Sequence, residues 1–196
     1  ELFLQSKLEI ILVGDGRQST YKTHHSPKHK NKTSLYQWFK EWEKKGWGNL
    51  VEQKASHRCS AEICKFADSF YPNFPATISK NTKKVEHLGL FYIRPQMMLT
   101  YYQRYHPLVL IYDKRSKDKA QGLPTINFGM AKGKTHDRVL IIPNKMIDNY
   151  LASNDKSKIM KSCAKLYVAI TRARYSVTFV TDVQVNVPEL KEYSFN

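Results

Sequence analysis

The chain has 196 residues, enough for one α/β domain with a full core, or one domain plus part of a neighbour. Its 32 Lys and Arg against 17 Asp and Glu give a formal charge of +15, so a polyanion is the expected partner: each phosphate neutralised releases condensed counterions. A hydrophobic share of 41% with 12% aromatics excludes a merely disordered basic tail. Apolar runs no longer than residues 10–13 or 139–142 are too short to cross a bilayer, so a cytoplasmic protein with no membrane partner is expected.

In chain order, residues 8–13 read as a buried strand, followed by a Gly-rich turn, Gly14-Asp15-Gly16-Arg17-Gln18-Ser19-Thr20-Tyr21, and a basic loop over 22–33. Leu35, Trp38, Phe39 and Trp42 fall at helical spacing, as do Ile63, Phe66, Ala67 and Phe70 behind a Ser60 cap. A strand over 88–93 precedes the helical set Met98, Tyr101, Tyr102 and Tyr105. Strands over 108–112 and 138–142 bracket a second basic loop, 114–121. Met146, Ile147, Tyr150 and Leu151 give a shorter helical face, and the run 164–170 ends on Thr171, Arg172 and Arg174 before a strand over 177–181. Residues 183–196 contain Pro188 and little periodicity, and read as a surface tail.

Strands apolar on both faces, alternating with helices, predict a doubly wound α/β fold, a parallel sheet flanked by helices. In such folds ligands gather at the carboxyl ends of the strands, so function is expected in the loops that follow them. Cys59, Cys64 and Cys163 are odd in number and lack a CxxC spacing, which fits a reducing compartment. Zinc held by His57, Cys59 and Cys64 with His24, His25 and His29 is the sharper alternative, but structural sites show tight repeated ligand pairs, and no metal site is expected.

Four blocks carry chemistry. Glycines in Gly14 to Tyr21 let the backbone turn tightly and face polar side chains toward a phosphate. In Ala55-Ser56-His57-Arg58-Cys59-Ser60, an Arg beside a helix N-terminus is electrostatically awkward unless an anion joins it. Gly129 to Thr135 reads G-x-x-x-G-K-T, one residue short of a P-loop, and runs into a strand rather than the helix a P-loop requires. Ala164 to Tyr175 presents guanidiniums at the end of a packed helix, suited to meeting phosphate bidentately; a basic helix end answering the macrodipole is the plainer reading.

In order, these blocks resemble motifs III, IV, V and VI of the UvrD-like superfamily 1 DNA helicases, most closely at Tyr167-Val168-Ala169-Ile170-Thr171-Arg172-Ala173. The resemblance implies a RecA-like second motor domain without its own P-loop. It assigns Gln18, Arg58 and Arg172 to the γ-phosphate as catalytic residues, with Arg172 the arginine finger. Gly14, Asp15, His57, Lys132, Gly133 and Thr135 fall at nucleotide-binding positions, and Tyr21, Gly129, Lys132, Thr171 and Arg174 at DNA-binding ones. The chain departs from the family at His57, where Tyr is usual, at Gly129, where His is common, and at Thr135, where Glu is usual.

The implied cofactors are ATP and Mg2+, bound mainly by a first motor domain, because neither a complete Walker A nor the acidic motif II occurs in these residues. The chain, which begins at Glu1 rather than Met, therefore reads as a piece of a longer protein. Residues 1–34 would end the first motor domain, 35–182 form the second, and 183–196 trail from it. Implied partners are single-stranded DNA or a duplex junction, the first motor domain, and a nuclease or repair subunit. The isolated chain is expected to be catalytically silent. The rival reading is a non-catalytic nucleic-acid-binding or interaction module that kept the fold and its basic grip.

Overall fold

The computed structural model describes residues 8–20 and 35–195, and the chain divides into two compact units, residues 1–53 and 54–196. In the first unit, the strand expected over 8–13 does not form: Leu8, Ile11 and Val13 are 78%, 81% and 92% exposed. A parallel strand exists only through a neighbour's N–H and C=O groups, and among the described residues none pairs with this segment. The Gly-rich turn is a 3-10 turn, Gly16–Gln18, capped by Asp15. Helix α1, Leu35–Lys44, carries Trp38 and Trp42 edge to face at 5.8 Å, both half-buried, and clusters with residues 1–53 rather than with the unit that follows.

In the second unit, six strands form one sheet: β3 (Gly89–Ile93), β4 (Leu108–Ile111), β5 (Thr125–Asn127), β6 (His136–Ile142), β7 (Ala173–Val180) and β8 (Lys191–Glu192). Their order is β5-β4-β6-β7-β3-β8 and every pairing is parallel. A separate parallel pair, β1 (Ala55–Ser56) and β2 (Ile78–Ser79), stands beside helix α2 (Ala61–Asp68). Helices α3 (Met98–Tyr105), α4 (Lys145–Ser153) and α5 (Cys163–Ile170) complete the layers.

Alternation along β6 divides the core. Val139 and Ile141 pack with Ile63 and Phe66 of α2, Tyr150 of α4 and Leu166 of α5, while Leu140 and Ile142 pack with Met98 and Tyr101 of α3. All these side chains are fully or almost fully buried, as a parallel sheet covered on both faces demands. This is the α/β fold, a parallel sheet flanked by helices, expected of a RecA-like domain.

Four strands escaped the sequence reading, the short pair β1 and β2 and two strands of the main sheet. β5 and β8 are edge strands of three and two residues, set by the neighbour they pair with and not by their own composition. The expected surface tail is accordingly docked: Val187 and Leu190 are 2% and 7% exposed, and Tyr193 N donates to the Tyr92 carbonyl at 3.0 Å beside β8. Apolar residues at 187 and 190 cover core that would otherwise meet water.

A half-buried histidine packs against this tail. His87, at φ 58, stacks between Phe91 and Tyr105 with ring centroids 4.1 and 4.4 Å away, and its Nε2 lies 2.6 Å from the Tyr101 hydroxyl. Burial pushes its pKa down to about 4, with Arg138 and Arg104 adding to the fall. The folded state thus binds this proton less readily than the unfolded chain, whose histidine titrates at 6.5. Stability contributed by the neutral ring is present above pH 6.5 and lost as pH drops toward 4. We expect the melting temperature to fall over that window and His87→Asn to flatten the slope; an unaltered slope in the variant would show that another group is responsible.

Candidate functional site

Helix α5 is buried from Leu166 to Ile170 and ends where Thr171 folds back, its Oγ1 donating to the Tyr167 carbonyl at 2.8 Å. This delivers Arg172 to the turn before β7, where it is only 2% exposed. Its Nε donates to the Val168 carbonyl at 2.9 Å, Nη1 to the Lys134 carbonyl at 3.4 Å and Nη2 to Thr171 Oγ1 at 3.1 Å. A guanidinium keeps its charge when buried, and carbonyls at a helix C-terminus suit it. The contact with Lys134 fastens the end of α5 to the loop before β6.

Arg58 arrives from the other side. Its Nη1 donates to the Thr171 carbonyl at 2.9 Å, so the two arginines meet at one residue although far apart in the chain. The backbone around Arg58 is clamped as well: Ser60 N donates to the Arg174 carbonyl at 3.0 Å, and Ser79 Oγ to the Cys59 carbonyl at 2.8 Å. Asn81 Nδ2 bridges the carbonyls of Arg58 and Arg174 at 2.7 and 3.3 Å. Sequence reasoning missed Ser79 and Asn81; their partners lie on other elements, and neither belongs to a motif. Ser60 does stand at the N-cap of α2, but its side chain makes no capping bond and its buried Oγ has no partner. His57 is exposed beside this clamp.

The charge of the site registers on a neighbouring thiol. A hydrogen bond from Cys64 holds Cys59 below the usual thiol range against the opposing effect of burial, and the nearby positive charges of Arg58 and Arg172 act in the same direction.

The third segment runs from a 3-10 turn, Phe128–Ala131, into β6. Phe128 and Ala131 are buried and anchor it, leaving Lys132, Gly133 and Lys134 exposed and Gly129 and Thr135 half-buried. Gly133 has φ +86, a conformation costly for any residue with a Cβ. Because β6 and not a helix follows, no helix N-terminus faces the Gly-rich segment and the P-loop geometry does not arise. Exposed Arg174 donates through Nη1 to Asp137 at 2.8 Å.

The candidate residues Thr135, Thr171, Arg172 and Arg174 therefore stand at the amino ends of β6 and β7, and not in loops that follow the carboxyl ends of the strands, where candidates were expected. The reason is directional: a crossover helix returns antiparallel to the strands, so residues at its C-terminal end arrive at the sheet's amino edge.

In the first unit, Asp15 accepts from Arg17 N and Nε at 3.0 Å each and from Gln18 Nε2 at 2.8 Å, so the turn draws Asp15 and Gln18 together while Gly14 stays exposed. Tyr21 and the histidines at 24, 25 and 29 lie outside the described residues. Among the described residues, no three His, Cys, Asp or Glu side chains group as metal ligands, and no helix is long and apolar enough to cross a membrane.

A parallel sheet flanked by helices on both faces is the α/β architecture of a RecA-like domain, and here its amino edge gathers cationic side chains from three separated segments. The chain belongs to the viral superfamily 1 RNA helicase core domain family, whose model matches residues 2–181. Among solved structures it is similar to PRRSV nsp10 (helicase), with 22% identity over 65% of this chain and 23% of that one and a TM-score of 0.40. It is also similar to a second PRRSV helicase structure, with 20% identity over 66% and 23% of the two chains and a TM-score of 0.43. The C-terminal domain of a possible DNA helicase from Lactobacillus plantarum WCFS1 matches with 15% identity over 71% of this chain and 99% of that one, at a TM-score of 0.44. The chain thus spans 23% of the length of the PRRSV helicases it matches. No curated protein matches it in sequence.

Proposed function

We propose that this chain is the C-terminal motor portion of a superfamily 1 helicase that couples nucleoside triphosphate hydrolysis to movement along a single strand of nucleic acid. The observation that carries this reading is the meeting of Arg58 and Arg172 at Thr171, two guanidiniums from separate segments at one sheet edge. Arg58 and Arg172 would face the γ-phosphate, a role that only the motif resemblance extends to Gln18, and Arg172 would stabilise charge developing in transfer. His57, Lys132, Gly133 and Thr135 would border the nucleotide, while Thr171, Arg174, Gly129 and Lys132 would touch the strand, a role that only the motif resemblance extends to Tyr21.

The donors here fit a nucleotide's phosphates, since guanidiniums and backbone amides meet oxyanions; they do not fit its magnesium ion, which takes carboxylate oxygens. ATP supplies the phosphoryl group whose transfer drives the cycle, and its Mg2+ belongs with a first motor domain. Opening and closing of the cleft between domains would then step the protein along the strand.

The motif resemblance favours a UvrD-like enzyme acting on DNA in repair, and the description of the matching family favours RNA. Hydrolysis by the whole motor protein, measured with single-stranded DNA and with single-stranded RNA of the same length, separates them. We expect turnover to rise severalfold or more with at least one polymer. Stimulation by DNA supports the UvrD-like reading, and stimulation by RNA alone overturns it in favour of the viral type. Salt-sensitive binding with no hydrolysis at all would overturn the motor reading and leave a binding module.

A further inference from the structure

Beside the arginine clamp, at the same sheet edge but reaching across to the C-terminal end of α3, is an open polar cavity of about 400 Å³. Tyr105, His106, Thr135, His136, Asp137, Arg138 and Arg174 line it, and Tyr105, His106, His136 and Arg138 have no part in the site described above. Two guanidiniums and two imidazoles here face a single carboxylate, Asp137, which Arg174 already engages at 2.8 Å.

The second guanidinium has unused capacity. Arg138 Nη2 donates to the Glu86 carbonyl at 2.9 Å, its Cζ lies over the Tyr105 ring 5.1 Å from the ring centre, and its buried Nε has no acceptor. The local field is positive: burial holds His136 below its ordinary pKa, Lys134 and Arg174 add to the fall, and Asp137 opposes it only in part. A wet, cationic hollow of this kind suits an oxyanion rather than an apolar ligand. Left-handed His106, at φ 44, closes α3 and turns the chain at the rim, so the wall is backbone-fixed on that side.

We propose that this cavity is a phosphate-binding pocket, in which Arg174 exchanges its bond to Asp137 for a phosphate oxygen while Arg138 and the two histidines hold the remaining oxygens. The inference rests on the motor reading for its choice of phosphate source, either the backbone of the bound strand or the polyphosphate of a nucleotide. The phosphate chemistry itself does not depend on that reading.

The test uses the 196-residue chain and the histidine ring signals in NMR, with three probes: inorganic tripolyphosphate, ADP, and a single-stranded oligonucleotide. An anion in the pocket is expected to move the His136 and His106 ring signals and to raise the His136 pKa. Arg174→Ala should weaken tripolyphosphate binding about tenfold or more, in line with a lost charge-assisted bond. Arg174→Lys, which keeps the charge, should recover part of it. A response to the oligonucleotide but not to ADP assigns the strand backbone as the source, and the reverse assigns the nucleotide. If the oligonucleotide binds but leaves both histidines unmoved, as does tripolyphosphate, the pocket proposal fails while the motor reading stands. If tripolyphosphate moves them while the whole motor protein neither hydrolyses nucleotide nor binds the oligonucleotide, the pocket stands and the motor reading fails.

Discussion

On the proposed motor function, replacing Arg172 by alanine is expected to lower the hydrolytic turnover of the whole protein about a thousandfold, with a smaller change in nucleotide binding. An arginine finger acts on charge that develops only in the transition state, so its loss falls on turnover first. The structure adds a second consequence. Arg172 donates to Val168, Lys134 and Thr171; of these only Val168 is a buried residue, and its carbonyl keeps Thr171 Oγ1 at 3.3 Å, so the loss of the guanidinium should cost about 1 to 3 kcal/mol in all. Turnover must therefore be measured at a temperature where the variant's circular dichroism matches that of the unaltered protein. Arg172→Lys keeps the charge but not the fork, and should restore stability better than turnover. A folded Arg172→Ala protein that hydrolyses at the original rate would remove this residue from the chemistry and leave it a staple between α5 and the loop before β6.

Phe128→Ala is expected to cost about 3 to 5 kcal/mol of domain stability, a large share of the roughly 5 to 15 kcal/mol that holds a domain together. The ring is fully buried, and it meets Tyr112 edge to face at 5.8 Å. It is also the anchor of the segment that presents Lys132 and Gly133, so the same change should loosen that loop and raise amide exchange there before the sheet itself opens. Phe128→Leu, which fills most of the space, should cost about 1.5 kcal/mol or less. Chemical denaturation of the two variants checks the ordering, and a loss under 1 kcal/mol for alanine would show that the loop is held by something other than this side chain.

Much of the architecture was legible because periodicity is a local property. The helices carrying Ile63 and Phe66, Met98 and Tyr101, and Ile147 and Tyr150 bury those residues, and the central strands β3, β4, β6 and β7 lie where doubly apolar runs were read. Residues 8–13 show the limit of the same signal. Residues 10–13 are as apolar as β4, yet no partner strand meets the segment among the described residues, and it stays exposed. At the opposite extreme, Lys191 and Glu192 carry no strand signal and become β8 because Val187 and Leu190 bring them alongside β3.

For the site, the identity of the cationic groups was readable and their surroundings were not. Arg58 and Arg172 stood out by residue type and context, but the burial of Arg172 against three acceptors could not be read from a helix that merely ends in basic residues. Asn81 was invisible for a related reason: an amide acquires its meaning from the carbonyls it bridges, and those belong to β7 and to the segment before α2.

Composition and periodicity by themselves determined a basic α/β domain with a parallel sheet, and the order of four short blocks determined its kinship with superfamily 1 helicases. Only the tertiary structure decided which edge of the sheet collects the arginines, that Thr171 is their meeting point, and that the last residues complete the sheet. Side-chain type and spacing act within a few residues, whereas the convergence of Arg58 and Arg172 depends on strand order and crossover direction, which the packing of the whole core sets.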